Sequence, residues 1–287
     1  MPVSDTELST LAASHDIINL GMLADAVRRE RHGNRTTFVR VAHVALDVKG
    51  VVDAPPTWPE AAGEIRIVGV PATRTAALAR VREVVERAKG VPVSAFSLAD
   101  LEELAAREHV TLRAILEDLH AAGLDLVADA PFDLLHDARR SIEEVNIAGL
   151  SLGRLTVDQL PSPDALSLFR HVANLQHAVA VVRAFAPLPR RVNPAVPTTG
   201  YDDVKRVALA RLAVQNIPSI QVDWALYGPK LAQVALTVGA DDVDGVSPED
   251  DTGQGRRRSP LEEIRRNIRA AGQEPVERNG RFETLVR

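Results

Sequence analysis

The sequence predicts an α/β protein built as a closed eight-stranded barrel. Three observations carry that expectation: a length of 287 residues, a regular alternation of strand-like and helix-like segments, and eight strand signals in the count. Roughly 250 residues is the usual size of such a barrel, and strands alternating with helices argue for parallel βα units. A doubly wound open sheet is the second arrangement the pattern allows, because a short apolar run can also be buried helix.

The elements follow in order. From Asp5 to Asn34, apolar residues recur three or four apart, as in Leu8, Leu11, Ala12, Ile17, Leu20, Leu23, Ala24 and Val27, which predicts a leading helical segment ending at Gly33–Asn34. Thr36-Thr-Phe-Val-Arg-Val-Ala-His-Val-Ala-Leu46 is rich in β-branched residues and reads as the first strand. A loop containing Pro55, Pro56 and Pro59 follows. Glu64-Ile-Arg-Ile-Val-Gly69 is the second strand, 75–89 a helix, and Val91-Pro-Val-Ser-Ala-Phe96 the third strand. A helical block covers Leu98 to Ala122, with a break expected near His109, and Leu124-Asp-Leu-Val-Ala128 is the fourth strand.

The cadence continues with helix 136–145, strand 148–155, helix 163–176, strand 179–186, helix 201–213, strand 217–226, helix 229–237 and a last strand at 242–246. The Gly-, Pro- and charge-rich stretch from Pro248 to Pro260 reads as a surface loop, and Leu261 to Ala271 as a terminal helix stopped by Gly272. The expected organisation is an N-terminal helical extension over 1–35, a barrel over 36–247, and a loop with a helical tail over 248–287.

Composition excludes several classes. The chain is 45% hydrophobic with 34 basic and 39 acidic side chains, so it is neither disordered nor an electrostatic fit for nucleic acid. The run Arg256–Arg258 follows Glu249, Asp250 and Asp251 and reads as a solvated loop of mixed charge. No apolar run approaches the roughly 20 residues that cross a bilayer, and the start lacks a basic, then apolar, leader, so no membrane and a cytoplasmic location are expected. The chain has no cysteine. Thiolate metal sites, thiolate nucleophiles and cysteine-ligated clusters therefore need donors that this chain lacks.

Candidate chemistry comes from the carboxyl ends of the strands, where barrels of this kind place their working residues. That rule selects Asp47, Gly69, Ser94 or Ser97, Asp129 with Asp133, Asp158, Arg183, Gln221 with Asp223, and Asp242 with Asp244. Gln221 and Asp223 stand two apart in Ile220-Gln-Val-Asp-Trp224, so both face one side of a strand. Two polar residues there are expensive to bury in an inert core, and they read as an inward pair for a ligand or a polar outer face. Trp224 reads as packing. Asp241, Asp242 and Asp244 crowd one strand end and fit a cation or ribose site, or turn and capping roles. His43, on the first strand, is either a base facing the barrel or a wall histidine. The eight histidines contain no His-x-His or His-x3-His pair, His171 and His177 lie six apart, and no metal site is expected. No phosphate-binding glycine loop occurs.

The C-terminal third carries a family likeness. Thr199-Gly-Tyr-Asp-Asp-Val-Lys-Arg-Val-Ala-Leu-Ala-Arg-Leu212, Asn216-Ile-Pro-Ser-Ile-Gln-Val-Asp-Trp224, Gly228-Pro-Lys-Leu-Ala-Gln-Val-Ala-Leu236, Gly239-Ala-Asp-Asp-Val-Asp-Gly245 and Ala271-Gly-Gln-Glu-Pro-Val-Glu-Arg278 are five ordered blocks over about 80 residues. Together they resemble the radical S-adenosylmethionine enzymes of the futalosine and deazaflavin pathways. Upstream, Leu20-Gly-Met-Leu-Ala-Asp-Ala-Val-Arg-Arg29 and Leu116-Glu-Asp-Leu-His-Ala-Ala-Gly-Leu-Asp125 resemble segments of the same family. The resemblance implies a radical-enzyme barrel with a menaquinone-related history.

The departure falls on the chemistry. Where the family places Cys-x3-Cys-x2-Cys, this chain runs Arg40-Val-Ala-His-Val-Ala-Leu-Asp-Val-Lys-Gly50, and His43 with Asp47 is no replacement for three thiolates on a 4Fe-4S cluster. The family's Gly-Gly-x-His-Pro stands here as Gly69-Val-Pro-Ala-Thr73, and its Pro-Gly-Gly-Gly-Ala-Glu as Ala128-Asp-Ala-Pro-Phe-Asp133, with Asp133 in place of the glutamate. Its Tyr-Gly-His-x-Glu corresponds to Val157-Asp-Gln-Leu-Pro161. The expectation is a chain without cluster or cofactor, S-adenosylmethionine being the one cofactor it could still bind uncleaved. Such a chain would hold a small aromatic or nucleoside-like ligand or dock on an intact homologue. The alternative is a repurposed acid–base enzyme. The candidate catalytic residues are Asp129, Asp133 and Asp223, and the candidate ligand contacts are His43, Gly69, Gln221, Asp223, Asp242 and Asp244.

Overall fold

The computed structural model describes residues 4–46, 59–159, 165–191, 198–249 and 260–286. Asp47, the loop prolines Pro55 and Pro56, and most of the 248–260 stretch lie outside the described residues.

Two helices precede the barrel, α1 (Asp5–Ala13) and α2 (Ile17–His32). The expected single segment is broken at Ser14–Asp16, because the Asp16 carboxylate accepts the Asn19 amide and starts a second helix. Strand β1 (Arg35–Ala45) then opens the sheet, followed by β2 (Glu64–Val68), helix α3 (Arg74–Arg87) and β3 (Val93–Ser97). The block expected to break near His109 is α4 (Leu98–Arg107) and α5 (Leu112–Ala121), the second capped by the Thr111 hydroxyl on the Ala114 amide. Next come β4 (Leu126–Pro131), α6 (Ala138–Ile147), and a fifth strand split into β5 (Ser151–Leu152) and β6 (Leu155–Val157). The remaining units are α7 (Ala165–Val179), β7 (Ala184–Pro189), α8 (Gly200–Ala213), β8 (Ser219–Asp223), α9 (Trp224–Thr237) and β9 (Asp242–Val246). Helix α10 (Pro260–Ala270) and strand β10 (Glu274–Glu277) end the chain.

Every pairing between named strands is parallel, in the order β1-β2-β3-β4-β6-β7-β8-β9, and β9 returns to β1, which closes the barrel. The split strand has a local cause. A Cβ on Gly153 would stand 2.6 Å from the Ala128 carbonyl, so only glycine lets the chain cross this close to β4. Below it β5 pairs with β4 alone, and above it β6 bridges β4 and β7.

One continuous core lies between strands and helices, joining Ile65, Val127, Phe185 and Ile220 to Leu101, Ile115, Ile142 and Phe169. Phe169 meets Phe185 edge to face at 5.9 Å, fixing α7 on β7. The tail adds an element absent from the sequence reading. Strand β10 lies parallel to the start of β1, with Arg35 opposite Glu274 and Phe38 opposite Glu277. Among the described residues no helix is long and apolar enough to cross a membrane.

Candidate functional site

At the carboxyl ends of the strands the barrel opens into a cavity of about 460 Å³. Strand β1 supplies His43 to it, β2 supplies Arg66, and β4 supplies Asp129; Arg154 enters from the split strand, Arg190 follows β7, and Asp223 ends β8. Gly69, Ser97 and Asp100 complete the polar side, while Phe96, Val68, Val70 and Leu226 give an apolar wall. A second cavity of about 650 Å³ sits at the opposite end, where β5 and β7 begin, lined by Ser151, Val182 and Asn216. The carboxyl-end cavity is the candidate site, since catalytic and binding groups of this fold gather at that face.

Its floor is an ionic lattice inside the barrel. Arg66 donates to both oxygens of Asp244, at 2.8 and 2.9 Å, and its Nε donates to Glu64 at 2.9 Å. The Ser94 hydroxyl also donates to Glu64, at 2.5 Å, and Arg154 Nη1 donates to Asp244. Burial opposes the Arg66 cation, yet Asp244 and Glu64 outweigh it and hold the guanidinium pKa well above its ordinary value. Burial likewise opposes the Asp244 anion, and Arg154 with Arg66 overrides it, so the carboxyl is held far below the usual range. Arg154 is served less well. Burial, reinforced by Arg66, pulls its pKa down.

The rim is mixed in charge. Arg190 stands 3.3 Å from Asp223 and 3.9 Å from Asp129, drawing together two carboxylates from different strands. The other oxygen of Asp223 accepts the Leu226 amide at 2.9 Å, so this residue also caps α9. Asp100, in the first turn of α4, has its pKa raised by burial and then by Asp129 and Glu103. Burial, then Arg66, lowers the pKa of His43, which keeps the imidazole neutral at neutral pH.

Of the sequence-selected residues, the structure brings His43, Gly69, Ser97, Asp129 and Asp223 to one cavity. Several others stand elsewhere. Strand β9 starts at Asp242, so Asp242 and Asp244 are not at a carboxyl rim: they are 0% and 1% exposed inside the barrel. Asp242 accepts from Arg278 Nε and Nη2, both at 2.6 Å, and from Gln221 Nε2 at 2.7 Å, which ties Gln221 to the same internal lattice. Asp133 is occupied by the amides of Asp158 and Gln159, at 2.7 and 2.8 Å, joining the loops after β4 and β6. Asp158 holds Arg191. Ser94 serves Glu64, and Arg183 precedes β7, at the amino end, because α7 runs on to Val179. Among the described residues no three His, Asp or Glu side chains converge as a metal site.

The arginines were missed. Glu64-Ile-Arg66 shows the same two-residue alternation that singled out Gln221 and Asp223, so it was open to the same argument. Arg154 gave no such signal, because it follows the glycine that breaks its strand. Arg190 lies in a turn, and Arg278 arrives from the tail, where it stacks on Phe282 at 3.9 Å while reaching Asp242.

The likeness to radical enzymes implies a 4Fe-4S cluster with bound S-adenosylmethionine. The donor set does not fit the cluster. No cysteine exists in the chain, and the β1 residue at the mouth, His43, stands in the field of Arg66.

The family described as CofH/MqnC C-terminal region matches residues 186–286. The aminodeoxyfutalosine synthase of Thermus thermophilus is 27% identical over 95% of this chain and 89% of its own length. The cyclic dehypoxanthine futalosine synthase of Streptomyces coelicolor is 25% identical over 68% of this chain and 55% of its own. In fold, the barrel superposes on methylornithine synthase (PylB) with a TM-score of 0.67 at 14% identity, over 96% of this chain and 94% of that one. The chain, which has no cysteine, is thus similar in sequence to the futalosine-pathway radical S-adenosylmethionine enzymes.

Proposed function

We propose that this chain is a non-radical binding or accessory protein linked to menaquinone biosynthesis by the futalosine route, acting in the cytoplasm without a cluster. One observation carries the reading: the mouth of the barrel is kept as a charged, partly apolar cavity in a chain with no cysteine. Ligand binding needs only the cavity, whereas radical initiation needs thiolates. The ligand class is a small aromatic or nucleoside-like molecule, and the protein partner is an intact homologue.

Two measurements test this. The purified chain is titrated calorimetrically with a futalosine-type nucleoside and, separately, with S-adenosylmethionine, and is mixed with a complete aminodeoxyfutalosine synthase to look for co-purification or altered turnover. Binding of the nucleoside, or association with the synthase, supports the reading. Failure of both, or cleavage of S-adenosylmethionine to 5′-deoxyadenosine by the chain alone, overturns it.

A second reading has its own support. A neutral imidazole, His43, shares one cavity with Asp129, Asp223 and the raised carboxyl of Asp100, a set suited to general acid–base work. It predicts conversion of the bound nucleoside, seen as a mass change that His43→Ala and Asp129→Asn abolish. An unaltered ligand after prolonged incubation removes it.

A further inference from the structure

A second cavity lies outside the candidate site. At the amino end of the barrel about 650 Å³ opens between the last turns of α6 and α7, over the starts of β5 and β7. It exists because the sheet is open there: β5 pairs with β4 alone, and the fifth strand meets β7 only beyond Gly153, as β6. On the β7 side the Gln176 side chain takes the place of the missing strand. The Val182 amide donates to Gln176 Oε1 at 3.1 Å, and Gln176 Nε2 donates to the Val182 carbonyl at 3.0 Å. Both backbone groups are thus satisfied without closing the gap, and buried hydrogen bonds hold the slot open.

Its walls divide by chemistry. Val145, Leu150, Leu152 and Val182 form a buried apolar floor, while Ser151, His177 and Arg183 stand exposed at the rim. Arg183, selected by the carboxyl-end rule, belongs to this cavity and not to the mouth. Its Nη1 donates to the Arg281 carbonyl at 2.9 Å, and among the described residues no carboxylate pairs with it. Nor does an acidic residue line the cavity among the described residues, whereas Asp100, Asp129 and Asp223 line the mouth. Helices α6 and α7 end here, but the amides of Ala148, Gly149, Leu150 and Ala180 already take carbonyls of their last turns. What remains of the helices' negative field is weak beside a full guanidinium charge.

We infer that this amino-end cavity is a second ligand site, for an amphiphilic organic acid whose apolar body lies on the floor and whose carboxylate meets Arg183, with His177 as the second donor. A guanidinium edge matches the two oxygens of a carboxylate. An apolar floor with a few polar groups gathered at one side is the usual make-up of a small-molecule pocket. Inorganic phosphate fits poorly, because it has nothing to place on the aliphatic floor. The site is separate from the mouth and does not rest on the function proposed above.

The full chain is titrated with octanoate, its neutral counterpart octanamide and inorganic phosphate, by calorimetry and by the proton NMR signal of the His177 imidazole, assigned with His177→Gln. Octanoate should shift that signal and bind at least about fivefold more tightly than octanamide, a difference of ~1 kcal/mol. Arg183→Gln should remove the preference for the acid, and Ser151→Trp, which fills the rim, should remove the response at His177. Arg190→Gln, at the opposite end of the barrel, should leave that response as in the wild type. Arg183 and Ser151 are exposed, so both variants are expected to fold, and circular dichroism checks them. If one fails to fold, the other decides the matter. An unmoved His177 signal at saturating octanoate, equal binding of acid and amide, or an unchanged Arg183→Gln or Ser151→Trp overturns the site. So does a response to phosphate as strong as that to octanoate, or a response lost in Arg190→Gln.

Discussion

Arg66 sets its two terminal nitrogens on the two oxygens of Asp244, at 2.8 and 2.9 Å, across the interior of the barrel from β2 to β9. The pair joins residues 178 positions apart and is shared with Arg154, so Asp244 is one anion divided between two buried cations. Most barrels of this type fill that space with branched apolar side chains. Here a polar lattice fills it, and its members depend on one another.

Asp244→Ala is therefore expected to destabilise the fold by about 3–5 kcal/mol, because it takes the paired carboxylate from buried Arg154 and leaves buried Arg66 with Glu64 alone. Equilibrium urea unfolding measures this, and a loss below about 1 kcal/mol would contradict the lattice as described. The acid limb gives an independent check. Because the folded carboxyl titrates below the ordinary 3.8, its contribution is complete above that pH and is lost as pH falls further. Asp244→Asn should show a shallower decline of stability with acid below that point than the wild type.

Much of this architecture was legible in advance, and the gaps have physical reasons. The eight barrel strands were visible because parallel βα units bury their strands on both faces, leaving β-branched runs such as Thr36–Leu46. Strand β10 was not, since Glu274-Pro-Val-Glu277 is short and polar and pairs only where β1 offers it an edge. Of the residues that the carboxyl-end rule selected, Gly69, Ser97, Asp129 and Asp223 line the cavity, and so does His43, singled out separately on the first strand. Asp242 and Asp244 were assigned to a carboxyl end although the expected strand 242–246 already begins at Asp242, and both lie inside the barrel. The arginines that line the cavity come from β2, the joint between β5 and β6 and the turn after β7, and no single local pattern assembles them.

Gly153→Ala tests the split strand. The added methyl would lie 2.6 Å from the Ala128 carbonyl and 3.2 Å from that of Val127, both backbone atoms that cannot swing aside. The joint between β5 and β6 must then move away from β4, and Arg154 moves with it. We expect a destabilisation of about 1–3 kcal/mol. Thermal unfolding indistinguishable from wild type would show that the crossing is looser than this geometry.

His43 offers a pH-dependent readout. Its folded pKa lies below the ordinary 6.5 through burial and then the field of Arg66, so the unfolded chain binds more protons in the interval between the two values. Its contribution therefore weakens stability as pH falls from 6.5 through the folded pKa, and His43→Gln should flatten that segment of the curve. Proton NMR of the imidazole should give a midpoint below 6.5. A midpoint at or above 6.5 would place His43 outside that field.

Asp100 makes the opposite case. It occupies the first turn of α4, where a carboxylate ordinarily gains from the helix dipole, yet burial, Asp129 and Glu103 raise its pKa. A folded pKa above the ordinary 3.8 means that the folded chain holds the extra proton between the two values, so stability falls as pH rises through that window. Asp100→Asn should thus be more stable than wild type at neutral pH, by up to ~0.5 kcal/mol, with the advantage shrinking toward pH 3.8. If the substitution instead destabilises the protein at neutral pH, Asp100 works as a favourable charge in the first turn of α4, and the repulsion from Asp129 and Glu103 does not govern it.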